Sequence, residues 1–144
     1  MPSTPLIEER KIVYTAEVVN QGGRQGTATS ENEGLQVKLA APSEDGSAGT
    51  NPEQLFAAAY GACFHAALLN HAEKAHLKVV GSTLIARVTL LEDENGGYEL
   101  GIELRASLPG IDRPKAQKLL HEAHQTCPYS KAVRGNIEVR LSLD

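Results

Sequence analysis

A chain of 144 residues, 41% hydrophobic and 22% charged, has the make-up of one ordinary globular domain. Fourteen basic against eighteen acidic residues leave a charge of −4 and no basic footprint for nucleic acid; four Tyr, two Phe and no Trp offer no base-stacking platform. Two cysteines exclude a disulfide scaffold, and no apolar block suggests a signal peptide or a membrane span, so two free thiols in a reducing, cytoplasmic setting are expected.

Residues 1–10, with Pro2 and Pro5, read as an N-terminal arm, and residues 11–144 as a single domain. Over residues 11–20, Ile12, Tyr14, Ala16 and Val18 alternate with other residues, which predicts a strand. Gly22 and Gly23 turn the chain, and residues 24–30 return as the second arm of a hairpin. After a turn at Asn32-Glu33-Gly34, the alternation of Leu35, Val37 and Leu39 predicts a third strand. Arg24 therefore follows two glycines, where the backbone can take a tight shape.

Residues 41–49 form a loop rich in Gly and Ser. Thr50 is a good N-cap, Pro52 suits a first helical turn, and Glu53 stands three residues after Thr50 as in a capping box. The Ala-rich, proline-free run over residues 55–75 predicts a long helix, most of it apolar, with Asn70, His71, Glu73, Lys74 and His76 at its far end. Residues 77–91 and 98–108 alternate around Asn95-Gly96-Gly97 and predict a long hairpin with one covered face. Ile111, Asp112 and Pro114 open a second helix, whose apolar stripe is Ala116, Leu119, Leu120 and Ala123. Pro128 disfavours helical geometry at Cys127, so this helix is expected to end near Thr126, and residues 136–143 alternate as a last strand.

The predicted order is βββ-α-ββ-α-β, an α+β fold with a long apolar central helix. Such a helix is too apolar to lie on one sheet with its other side wet. Either it is the central helix of one compact domain or a second subunit buries it; a chain of this length has little left to wrap it, which favours the second subunit.

Few residues invite chemistry. A cysteine inside an apolar helix, as Cys63 is, ordinarily fills space. It lies well past the first turn, beyond the reach of the helix dipole, so lowering its pKa requires a cation from elsewhere. Arg24 is a candidate for that cation, although turn arginines are ordinarily solvated. Glu53 either completes the capping box or pairs with an arginine and aims its fork. Cys127, in Thr-Cys-Pro-Tyr-Ser, is either a packed thiol or a reachable one. His121, His124 and Cys127 recur at three-residue spacing and raise a metal reading. A fourth ligand would have to come from Cys63, His65, His71 or His76. Phosphate-binding glycine loops and the nucleophile-elbow motif are absent.

Three segments carry a resemblance. Asn20-Gln-Gly-Gly-Arg24-Gln-Gly, the run from Thr50 to Phe64, and Cys127-Pro-Tyr-Ser-Lys-Ala-Val-Arg-Gly-Asn-Ile137 resemble the organic hydroperoxide resistance proteins of the OsmC/Ohr superfamily. The resemblance spans residues 14–143; Val133 and His65 are small departures from the pattern. It implies an intertwined homodimer with active sites at the subunit interface and no metal or other cofactor. Cys63 would be the peroxidatic cysteine, Cys127 the resolving one, and Arg24 and Glu53 the paired activators. Organic hydroperoxides, including fatty-acid ones, would be the substrates, and dihydrolipoamide or lipoylated proteins the reductant. The competing expectations are a thiol-based sensor or hydrophobic-ligand-binding dimer without efficient turnover, and a metal-binding dimer built on His121, His124 and Cys127.

Overall fold

The computed structural model describes residues 10–144, so all but Arg10 of the expected N-terminal arm lies outside the described residues. These residues form two compact units, divided between Asn51 and Pro52.

The first unit is a three-stranded antiparallel meander, β1 (Val18–Gln21), β2 (Thr27–Ser30) and β3 (Gln36–Lys38), paired in that order. The predicted first strand is shortened, because residues 11–17 carry no strand pairing. The β1–β2 connection is a single 3-10 turn, Gly23–Gln25. Gly22 sits at φ 77°, a left-handed conformation that side chains with a Cβ resist. Gly26 is more tightly constrained: a methyl group there would fall 1.6 Å from the Gln21 carbonyl oxygen. Thr50 closes this unit by pairing with Leu39 in a parallel bridge.

The second unit packs three helices on one face of a three-stranded sheet. Its elements are α1 (Pro52–Lys74), β4 (Thr83–Glu92), β5 (Tyr98–Ser107), α2 (Arg113–Thr126), α3 (Pro128–Val133) and β6 (Val139–Leu143). β5 is central, antiparallel to β4 and parallel to β6. The register aligns Leu84, Ala86 and Val88 with Ala106, Leu104 and Ile102, and these with Leu143, Leu141 and Val139. One sheet face is thus continuous hydrocarbon, as the period-two pattern requires. Tyr60, Phe64, Leu68 and Ala72, one turn apart on α1, and Ala116, Leu119, Leu120 and Ala123 on α2 complete the core over it. Gly61 permits the close approach of α1 to β4, since a methyl there would lie 3.3 Å from the Ala86 Cβ. Among the described residues no helix is long and apolar enough to cross a membrane.

The observed order is βββ-α-ββ-αα-β, and two differences from expectation have local causes. α1 stops in a left-handed cap at His76 (φ 57°), with Leu77 N–H donating to the Ala72 carbonyl at 2.9 Å and His76 N–H to that of Glu73 at 3.0 Å. That cap and Gly81 (φ 75°) delay the next strand from residue 77 to Thr83. α3 was not expected at all. Pro128, read as a helix end, also serves as the first residue of a new helix, where its missing N–H costs nothing.

Candidate active site

The two cysteines come together although one lies in mid-helix and the other between two helices. Cys63 stands on α1 just before the buried Phe64 and is half-buried. Cys127 is the single extended residue between α2 and α3 (φ −63°, ψ 125°) and is fully buried. It is pinned from both sides: its N–H donates to the Ala123 carbonyl at 2.8 Å, and its carbonyl accepts from the Lys131 N–H at 3.0 Å. The Cys63 and Cys127 thiols are near enough to act on each other's ionisation, and the backbone N–H of Tyr129, an orphan donor of the first turn of α3, acts on the Cys63 sulfur.

Burial pushes the Cys63 thiol pKa up, and Cys127 pushes it further; the Tyr129 N–H pulls the other way. The second unit by itself therefore favours the protonated thiol. Aromatic rings share this core: Phe56 and Tyr129 meet edge to face at 6.1 Å between centroids, and the Tyr60 ring lies 5.7 Å from that of Tyr129. Chemically, a Cys63 sulfur oxidised here has a second thiol within reach for disulfide formation.

Glu53 occupies the first turn of α1 and is half-buried. Arg24 lies in the first unit, in the tight turn made by Gly22, Gly23 and Gly26, and is exposed.

The histidines do not assemble around a metal. Among the described residues no three His, Cys, Asp or Glu side chains converge where an ion could sit, so the trio His121, His124 and Cys127 is not a site. His65 Nε2 lies 2.8 Å from Ser82 Oγ. His71 joins Thr126 Oγ1 at 2.9 Å and Glu122 at 3.6 Å. His124 Nδ1 instead lies 2.9 Å from Ser130 Oγ, which is 2.7 Å from the Tyr60 hydroxyl. Tyr60 and Ser130 were not singled out in the sequence. The available signals were a lone Tyr in a run of alanines and a Ser one turn beyond Cys127.

The chain is similar to known proteins over most of its length. Residues 43–142 match the family model described as OsmC-like protein. The chain is 46% identical over 141 residues to an organic hydroperoxide resistance protein of Xanthomonas axonopodis pv. citri (strain 306), covering 96% of this chain and 99% of the relative. It is 43% identical to the organic hydroperoxide resistance protein OhrB of Bacillus subtilis (strain 168), covering 91% and 98%. The crystal structure of OhrB of Bacillus subtilis superposes with a TM-score of 0.85 at 42% identity, over 92% of this chain and 100% of that one. An organic hydroperoxide resistance protein from Elizabethkingia anophelis gives 0.82 at 42% identity, covering 94% and 99%.

Proposed function

The chain belongs to the OsmC-like family, among its organic hydroperoxide resistance proteins, and we propose that it reduces organic hydroperoxides through Cys63 and Cys127. The observation that carries this reading is the approach of the two thiols to each other in one core. The Cys63 thiolate attacks the outer peroxide oxygen; the O–O bond breaks, and the alkoxide leaves as the alcohol after taking a proton. The resulting sulfenic acid is attacked by Cys127 sulfur, which expels water and leaves a Cys63–Cys127 disulfide. A dihydrolipoyl dithiol then reduces the disulfide by two exchanges and leaves as the cyclic disulfide.

The thiol pair supplies no positive charge, and burial holds Cys63 protonated. In this reading the Arg24 guanidinium provides the charge, favouring the thiolate and the developing negative charge on the peroxide oxygens. Glu53 holds the guanidinium in place. An alkyl or acyl tail fits apolar walls, each buried methylene contributing about 0.8 kcal/mol. The reading also takes the protein as a homodimer, residues 11–144 acting as one domain. Ile12, Val13 and Tyr14 expose apolar side chains in the first unit, and Ile85, Leu90 and Leu91 do so in the second, surface that a second copy would bury.

The experiment is hydroperoxide consumption with reduced lipoamide. Cys63→Ser abolishes it, whereas Cys127→Ser retains one oxidation per site and loses turnover. Equal activity in wild type and Cys63→Ser would contradict the reading.

A further inference from the structure

The two cysteines are flanked, one helical turn away, by the members of a buried polar chain. Tyr60 precedes Cys63 by three residues on α1, His124 precedes Cys127 by three on α2, and Ser130 follows it by three on α3. Ser130 Oγ lies 2.7 Å from the Tyr60 hydroxyl and 2.9 Å from His124 Nδ1. The chain therefore ties together the three helices that present the two sulfurs. Tyr60 and Ser130 are fully buried, and Ser130 is the only buried residue of the polar or charged class among the described residues. A second tie runs alongside, as Arg134, just past α3, donates to the His124 carbonyl at 2.6 Å.

Hydrogen counting sets a direction. Both contacts are filled with no hydrogen left over when the Tyr60 O–H donates to Ser130 Oγ and the Ser130 O–H donates to His124 Nδ1. That order requires a neutral imidazole with its proton on Nε2. Protonation at Nδ1 would leave three hydrogens for two contacts, so that either the Ser130 or the Tyr60 proton loses its partner in the chain, an arrangement buried hydroxyls avoid. The surroundings act in the same sense. Burial first, then the charges of Arg134 and His121, hold the His124 pKa below its ordinary 6.5. Cys127 and Cys63 face Tyr60 from the other end, and Glu122, also on α2, is engaged with His71 and Lys118.

We propose that Tyr60, Ser130 and His124 are positioning residues, a lock that holds the Cys63 and Cys127 sulfurs in bonding register and that persists only while His124 is neutral. The proposal deepens the peroxidase reading, on which its catalytic meaning rests, but its geometry can be tested without a hydroperoxide.

The test compares wild type, Tyr60→Phe, Ser130→Ala and His124→Asn, each reduced and then oxidised with either cumene hydroperoxide or diamide. Mass spectrometry follows the Cys63–Cys127 disulfide and, in the hydroperoxide arm, dimedone-trapped Cys63 sulfenate. Tyr60→Phe and Ser130→Ala are expected to slow disulfide closure about tenfold, as loss of one hydrogen bond would, with a matching rise in trapped sulfenate. His124→Asn keeps an acceptor where Nδ1 stood and cannot be protonated. It should close at the wild-type rate at neutral pH and lack the additional slowing that wild type shows below the ordinary imidazole value. Closure at wild-type rates in Tyr60→Phe and Ser130→Ala, or an unaltered pH profile in His124→Asn, would overturn the lock. Should a variant melt below the assay temperature, the pH profile of His124→Asn decides alone. Disulfide formation with diamide but not with hydroperoxide would sink the peroxidase reading and leave the lock to the diamide rates. Failure of wild type in both arms would overturn both.

Discussion

The Cys127 thiol, nearly half the chain away, is near enough to the Cys63 thiol to push its pKa up. Nothing local produces this proximity. It exists because Tyr60, Phe64 and Leu68 of α1 and Leu119, Leu120 and Ala123 of α2 share one core over the sheet.

Removing part of that core therefore disturbs the sulfurs as well as the fold. Phe64 is fully buried and adjacent to Cys63. Phe64→Ala is expected to lower stability by about 3–5 kcal/mol, the range for emptying a buried aromatic site. Denaturant unfolding measures the loss, and reactivity of the Cys63 thiol should rise as its surroundings loosen.

Acid sensitivity has a worked sign. The folded state holds the His124 pKa below 6.5, chiefly by burial. As pH falls through 6.5 the unfolded chain takes up a proton that the folded chain refuses. The unfolded state then binds more protons, and stability falls with pH across that window. The melting temperature should drop between pH 7 and pH 5, and His124→Asn should remove His124's share of the drop. Melting curves of the two proteins that run parallel across this range would contradict it.

The role proposed for Arg24 can be tested without touching its side chain. A methyl at Gly26 would collide with the Gln21 carbonyl, backbone against backbone, so the turn must rearrange. Gly26→Ala is expected to mimic Arg24→Ala. Both should lower the rate of Cys63 oxidation by about a hundredfold, the scale for losing one charge-stabilising group, and raise the pH at which the thiol reacts. Helical circular dichroism, which comes mainly from the second unit, should be retained. A Gly26→Ala protein with wild-type kinetics would contradict the role given to Arg24.

Much of the fold was legible because its signals are periodic. The stripe Ala116, Leu119, Leu120 and Ala123 is buried as its spacing predicts, and the β4–β5 hairpin turns at Asn95-Gly96-Gly97. α3 escaped because six residues are too few to display a period, and a proline that ends one helix opened the next. The late start of β4 escaped because a left-handed cap at a histidine has no strong sequence signature. Of the candidate site, Cys63 and Cys127 were nameable in advance through resemblance, but their contact was not derivable from spacing. The Tyr60–Ser130–His124 chain was invisible because Tyr60 is remote in sequence from the other two and no spacing joins it to them.

Resolution of the sulfenate should depend on Cys127 alone among the thiols. In Cys127→Ser, Cys63 is expected to stop at the sulfenic acid and, with excess hydroperoxide, to proceed to sulfinic acid. Intact mass before and after dimedone trapping distinguishes these states. A Cys127→Ser protein that turns over repeatedly with reduced lipoamide would show that the second thiol is dispensable.

The most direct measurement is a non-reducing peptide map of wild-type protein after one equivalent of an organic hydroperoxide. The account predicts a single cross-linked species joining the Cys63 and Cys127 peptides of the same chain, lost again on adding dihydrolipoamide. Recovery of Cys127 as a free thiol beside a sulfinic acid at Cys63, or of both cysteines unmodified, would contradict it.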